Sequence, residues 1–288
     1  MNYANAVKRT AGVFCSAAGL IAYVSRTSQA QSQSPRNAST TGVVKFTTKS
    51  ALNSEDITMI LDPANKLECV VVDSFIDFRS GEGGNGINYD DVLATVLKRQ
   101  SDFRSTPQGE NIRSDSVLWV DTQSEVNSGV IGQLIDAMAT LPSVLGSPGV
   151  KLALPRHIQL AHFDNLQSKY VAHRDNKPTS RLNIDDDAVW LSQPEQRCRF
   201  LTCVLYLTPP APAAEWDLTV DGGGLRVFCG CDEQDDSGYS AQSVVDIAPC
   251  SGRLVLFASR SLLHEVLPTT RARRVALTAW LLDYPDEG

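Results

Sequence analysis

The stretch YVAHRDN, Tyr170 to Asn176, sets an imidazole and a carboxylate two residues apart in an apolar run that reads as a strand. Side chains alternate across a strand, so His173 and Asp175 are expected on one face. A histidine and a carboxylate placed together can fill two adjacent positions on a metal ion, and a second histidine from a distant strand would complete a facial set. His264 is the candidate for that third donor. A two-histidine, one-carboxylate triad leaves three positions open on ferrous iron, room for O2 and a chelating organic acid, whereas zinc normally takes a closed or nearly closed set. Alone, the pair is a weak signal, because a His–Asp hydrogen bond or an exposed strand end fits the same spacing.

Downstream, HEVLPTTRARRVALTAWLLD places His264 just ahead of a strand that carries a basic residue inside an apolar alternation. Counting back by twos from Trp280 puts Thr278, Ala276 and Arg274 on one face and Arg273 on the other. A guanidinium turned into a closed pocket needs an anion and pairs bidentately with carboxylate. A dicarboxylate chelating iron at one end would thus be held at the other by Arg274. The alternative reading is an edge-strand arginine in solvent or in a structural ion pair.

Positioning such a set takes a core, and the composition provides one. With 288 residues, 42% hydrophobic and 20% charged, the chain can bury one substantial core. A formal net charge of -7 without a basic stripe in the main body argues against a nucleic-acid partner. The seven cysteines show neither paired CxxC zinc spacing nor the density of a small disulfide scaffold, and read as free thiols.

The folded domain is expected over 66–284, opening with the β-rich run KLECVVVDSFI. NYDDVLATVLKR and VIGQLIDAMATLPSVL carry helical apolar spacing, and SVLWVD reads as a strand. Beyond Leu152, strand-sized runs dominate: HIQLAHF, KYVAHRD, RFLTCVLYLT, GGLRVF, SVVDIA, RLVLFAS, HEVLPT and RVALTAWLLD. Many short strands divided by turn residues point to a sandwich or barrel, and no repeat period is visible. GEGGNG has neither P-loop nor dinucleotide-binding spacing and reads as a turn.

Residues 1–42 read as a targeting or disordered leader. Lys8, Arg9, Arg26, Arg36, Lys45 and Lys49 precede the first acidic residue, Glu55. The apolar run Ala11 to Val24 is short for a stable membrane span, and a Ser/Gln-rich segment follows it. The pattern suits organellar transit (mitochondrial or plastid) and secretory targeting alike, and also a flexible tail of a cytoplasmic protein.

Taken in order, VVVDSFI, IRSDSVLWVD, KYVAHRDN, RFLTCVLYL, WDLTVDGGGLRVF, DIAPCSGRLVLFASRSLLHEVLP and ALTAWLLD resemble the Fe(II)- and 2-oxoglutarate-dependent prolyl 4-hydroxylases. The likeness is greatest to the class that modifies hypoxia-inducible factor, and it covers about Lys66 to Tyr284. The resemblance implies a mainly β fold with flanking helices, a double-stranded β-helix of the cupin-like jelly-roll type. It implies His173, Asp175 and His264 as metal ligands and Arg274 on the distal carboxylate of 2-oxoglutarate. Tyr206 matches the tyrosine at that carboxylate, while Thr278, Leu225 and Trp280 line the cofactor pocket. Arg199 and Arg226 match arginines near its mouth.

The implied activity is dioxygenation of prolyl residues in a protein substrate, of the peptidyl-proline 4-dioxygenase type. It consumes O2 and 2-oxoglutarate, releases succinate and CO2, and takes ascorbate as reductant. A related 2-oxoglutarate oxygenase acting on another side chain or a small molecule fits the same residues, and so does a binding module without turnover. Departures from the family pattern are visible. Phe163 stands where the oxygen-sensing enzymes have a tyrosine. One extra residue between His264 and Arg274 leaves Arg273 open as the anion ligand. The 177–197 segment is long and acidic, which suits a surface insertion or a substrate lid, and the gating loop RSTPQGEN is short.

Overall fold

The computed structural model describes residues 43–47, 56–64, 66–76, 78–79, 87–106, 109–125, 129–145, 151–176, 198–208, 216–232, 234–270 and 274–283. The leader over 1–42, the GEGGNG turn, the 177–197 insertion and Arg273 lie outside them.

Three strands open the order: β1 (Val43–Thr47), β2 (Asp56–Leu61) and β3 (Leu67–Val72). The short β4 (Phe78–Arg79) and β5 (Ile87–Asn88) lead to helix α1 (Tyr89–Lys98), then β6 (Arg104–Ser105) and β7 (Ser116–Asp121). Helices α2 (Gly129–Ala139) and α3 (Leu141–Leu145) precede β8 (Leu152–Ala153) and β9 (His157–Phe163). Next come β10 (Tyr170–His173), β11 (Arg199–Tyr206), the helical turn α4 (Leu218–Asp221), β12 (Leu225–Cys229) and β13 (Ser243–Ile247). β14 (Leu254–Ala258), β15 (Leu263–Val266) and β16 (Arg274–Asp283) complete the described order.

A ten-stranded sheet runs β1-β2-β3-β14-β11-β16-β9-β7-β6, with β8 also on β16; a four-stranded sheet runs β10-β15-β12-β13. From β9 to β16 the chain passes back and forth between these two sheets, and every pairing within them is antiparallel. That winding is the double-stranded β-helix of a jelly roll. The sheet begins ahead of the expected boundary at Lys66, because β2 pairs with β3 and β1 with β2.

Burial on two sides explains why β16 is so apolar. Val275, Leu277, Ala279 and Leu281 join the core beneath the helices, with Val92 and Val96 of α1 and Leu134 and Met138 of α2. The other face turns Ala276 into the core between the sheets, with Tyr206, Leu225 and Phe257. Helix α1 starts where Asn88 caps it, its side chain accepting from Asp90 N at 2.9 Å, and carries Asp90 and Asp91 in its first turn against the helix dipole. The run VIGQLIDAMATLPSVL makes two helices rather than one, and Pro142 falls in the first turn of α3, where no N–H is needed. Among the described residues, no helix is long and apolar enough to cross a membrane.

Candidate metal centre and anion pocket

His173 and His264 face one another as a cross-strand pair of β10 and β15, their ring centroids 4.3 Å apart. Asp175 is not on the strand, as the alternation had implied; β10 ends at His173, and Asp175 lies in a bend just after it. The bend still delivers its carboxylate. Asp175 Oδ1 lies 3.6 Å from His173 Nε2, and Oδ2 lies 3.8 Å from His264 Nε2. One donor atom from each of the three residues falls within 4.8 Å of the others.

The imidazoles are turned for ligation. Nδ1 of His173 is 2.8 Å from the Val171 carbonyl, and Nδ1 of His264 is 3.3 Å from the Leu262 carbonyl. A carbonyl only accepts, so the proton sits on Nδ1 and Nε2 keeps its lone pair for a cation. Tyr170 stacks on His173 at 3.6 Å and Phe257 packs against His264 at 4.7 Å, which fixes both ring planes.

Burial alone would raise the Asp175 carboxyl. The neighbouring imidazoles and the Thr202 hydroxyl outweigh it and hold the group well below the usual carboxylate range. For His264, burial is the main cause lowering the pKa to about 4, with His173 adding to it and Asp175 opposing. Both groups are thus in their metal-binding protonation states near neutral pH.

Ten residues beyond His264, the inward face of β16 carries Arg274 into the same interior. Its residue is 2% exposed, and its Nε donates to the Gly223 carbonyl at 2.8 Å. The guanidinium lies over the Phe163 ring at 4.4 Å and beside the Tyr206 ring at 5.2 Å. Among the described residues no carboxylate lies within ion-pair distance of it, and burial pushes its pKa down from the usual range. Tyr206 is fully buried, and its hydroxyl has no hydrogen-bond partner of acceptable geometry. A buried cation without a counter-ion, next to an orphaned phenol, is a pocket shaped for a carboxylate. With three donors of the type ferrous iron takes, the residues fit an iron and a chelating dicarboxylate.

Gly223 is required here. Its φ is +66°, and a Cβ at that position would come within 3.0 Å of the Thr269 side chain and 3.2 Å of Arg274 Cδ.

The remaining expected residues divide. Thr278 and Leu225 are buried on the interior face, and Trp280 is buried with Arg199 stacked on its ring at 4.0 Å. Arg226 alternates with Leu225, faces outward, and pairs with Asp246 at 2.8 Å and Glu265 at 3.5 Å rather than reaching the interior. Sequence reasoning missed Thr202, whose hydroxyl donates to Asp175 Oδ2 at 2.8 Å; a lone hydroxyl in the apolar run RFLTCVLYL was the available sign. It also missed Arg113, which forks onto Asp115 at 2.6 and 2.8 Å, donates to Gln159 at 2.7 Å and lies 4.6 Å over Tyr170, behind His173.

Comparison with known proteins bears on this geometry. Residues 158–282, which hold every residue of the triad and pocket, match the model of the 2OG-Fe(II) oxygenase superfamily. That span is the part of the chain that resembles a 2OG-Fe(II) oxygenase domain. The superfamily implies Fe(II), 2-oxoglutarate and O2 for that domain. Over 225 residues the chain is 27% identical to Egl nine homolog 1 of Homo sapiens, covering 76% of this chain and 45% of that protein. It is 28% identical over 185 residues to a hypoxia-inducible factor prolyl hydroxylase of Caenorhabditis elegans, covering 60% of this chain and 20% of that one. The chain thus spans about half the length, or less, of these relatives. Among solved structures, a Pseudomonas putida prolyl-4-hydroxylase is 24% identical with a TM-score of 0.48, over 68% of this chain and 86% of that chain.

Proposed function

We propose that this oxygenase domain hydroxylates prolyl residues of a protein substrate, releasing succinate and CO2. The reading is supported chiefly by one juxtaposition: the His173, Asp175 and His264 donors within 4.8 Å of one another, and the unpaired cation of Arg274 buried in the same interior. The names of the relatives favour proline in a protein as the target.

In this reading His173 and His264 give Nε2 and Asp175 gives a carboxylate oxygen to Fe(II). Arg274, with the Tyr206 hydroxyl, grips the far carboxylate of 2-oxoglutarate, while Thr278, Leu225 and Trp280 wall the pocket and exclude water. Fe(II) supplies the activation of O2, one atom of which goes into the oxidative decarboxylation of 2-oxoglutarate to succinate and CO2 and the other into a substrate C–H bond. Ascorbate is the reductant that keeps the iron ferrous. Phe163, lacking a hydroxyl, presents Arg274 with a ring face and no hydrogen bond.

The test is to incubate the full chain with Fe(II), 2-oxoglutarate, ascorbate and a library of proline-containing peptides in air. Succinate and a one-oxygen mass gain on proline are expected, both absent with His173→Ala. Succinate with the oxygen on another residue or a small molecule would replace proline by that target. A folded wild-type protein that makes no succinate with any of these would overturn the reading.

A further inference from the structure

Arg174 stands between two of the proposed metal ligands, yet its guanidinium is spent elsewhere. Its side chain is 2% exposed, and it reaches the loop joining β12 to β13, far away in sequence. Nη2 donates to the Asp232 carbonyl at 2.8 Å, and Nη1 donates to the Asp235 carbonyl at 3.3 Å and to the Asp236 carboxylate. Nε donates to the Ser261 carbonyl at 3.3 Å, three residues before His264.

That loop has its own internal closure. The Asp235 carboxylate accepts from the amides of Ser237 and Ser240, each at 2.7 Å, and the Asp232 carboxylate accepts from Gln234 N at 2.8 Å. Such side-chain-to-backbone bonds hold a turn in one shape. At Gly238, φ +80°, a Cβ would meet the Phe228 ring at 2.5 Å, so the loop also lies flat against β12. It is a rigid anchor.

The metal-ligating bend needs such an anchor. β10 is the edge strand of its sheet, its pairing with β15 is irregular between Tyr170 and His173, and it stops before Asp175. Strand register therefore does not fix the path from His173 to Asp175. One side of the bend is held by Thr202 on Asp175, and by Asn176 N on the Ser259 carbonyl at 2.8 Å. Arg199 Nη1 also reaches the Asp175 carbonyl at 3.4 Å; between the two ligands, the tie among the described residues is that of Arg174.

We infer that Arg174 is a positioning residue: lodged among Asp232, Asp235, Asp236 and Ser261, it sets the bend that aims His173 and Asp175 at one cation. The inference rests on the metal-site reading above. It makes the β12–β13 loop part of the metal centre, although no residue of that loop donates to the metal.

The experiment titrates the metal-free full chain with Co(II), followed by its visible absorbance, so that the readout does not depend on turnover. Arg174→Ala is expected to weaken Co(II) binding about 10–100-fold, the usual range for residues that orient metal ligands. Arg174→Lys, a point charge that cannot fork, recovers part of this, and added guanidinium ion restores binding to Arg174→Ala. Asp236→Asn, which touches no ligand, weakens binding severalfold, whereas Tyr239→Ser at the exposed tip of the same loop leaves it unchanged. A folded Arg174→Ala protein with wild-type Co(II) affinity and spectrum overturns the inference. Should that variant fail to fold, wild-type affinity in Asp236→Asn overturns it equally. A wild-type protein that binds no Co(II), or binds it insensitively to His173→Ala, overturns the metal-site reading instead.

Discussion

Thr202 and Asp175 meet across the two sheets: the hydroxyl of Thr202, on β11 of the large sheet, donates to Asp175 Oδ2 at 2.8 Å, just past the end of β10 in the small one. Ser259 Oγ lies 2.9 Å from the same hydroxyl, so the carboxylate is the end of a short buried relay. With its second oxygen thus fixed, Asp175 turns Oδ1 toward His173.

Thr202→Val keeps the shape and removes that bond. A carboxylate freed to rotate binds metal less well, so Mn(II) affinity, read by the loss of the free-ion EPR signal, is expected to fall about tenfold or more. The kcat at saturating iron changes less than the affinity. Unchanged Mn(II) affinity would show that the hydroxyl merely fills space.

Arg274 carries charge into the interior without a counter-ion, which costs the cofactor-free fold stability. Arg274→Met is therefore expected to raise the unfolding free energy of the cofactor-free protein by about 2 kcal/mol. It abolishes the rise in Tm that 2-oxoglutarate gives the wild type. A variant that is less stable and still stabilised by 2-oxoglutarate would mean that Arg274 serves the fold and not the ligand.

Tyr206→Phe removes a buried hydroxyl that lies beside the Arg274 guanidinium without a well-formed hydrogen bond. Stability of the cofactor-free protein should hold or improve slightly, because an unsatisfied group is lost. A hydrogen bond to a carboxylate is worth about 1.5–3 kcal/mol, so KM for 2-oxoglutarate is expected to rise about tenfold or more, with kcat little changed. Equal KM values for the two proteins would remove Tyr206 from the anion site.

What the sequence disclosed depended on how local each cause was. Strand β16 was legible because its alternation is imposed by burial on both faces, and a single charge in that pattern, Arg274, marked the inward face. His173 and His264 were legible as residue types but not as neighbours, since their pairing is made by β10 and β15 across some ninety residues. The bend at Asp175 was read as strand because nothing local ends β10 there. What ends it is the tie of Asn176 to Ser259 and of Arg174 to a loop made of backbone carbonyls, which no residue type announces. β1 and β2 escaped notice for a related reason: β2 is a strand by pairing with β3 and β1 by pairing with β2, not by strong patterning of their own.

Acid should find His264 first. Burial lowers its pKa from 6.5 to about 4, so the fold holds the neutral imidazole while the unfolded chain takes up a proton near 6.5. The consequence is stability that is constant above that pH and declines as pH falls from about 6.5 toward 4, by an amount on the order of 3 kcal/mol at 1.36 kcal/mol per pKa unit. Asp175 acts in a separate window. Its depressed carboxyl contributes stability above its ordinary value of 3.8 and loses it only below, once His264 has already charged. Urea unfolding of the metal-free protein between pH 7.5 and 4.5 reads the first window alone, and subtracting the same series for His264→Gln isolates this residue from the other histidines. Parallel pH profiles for the two proteins would mean that His264 is not held neutral by the fold, and that its Nε2 is open to water rather than shut in with Asp175.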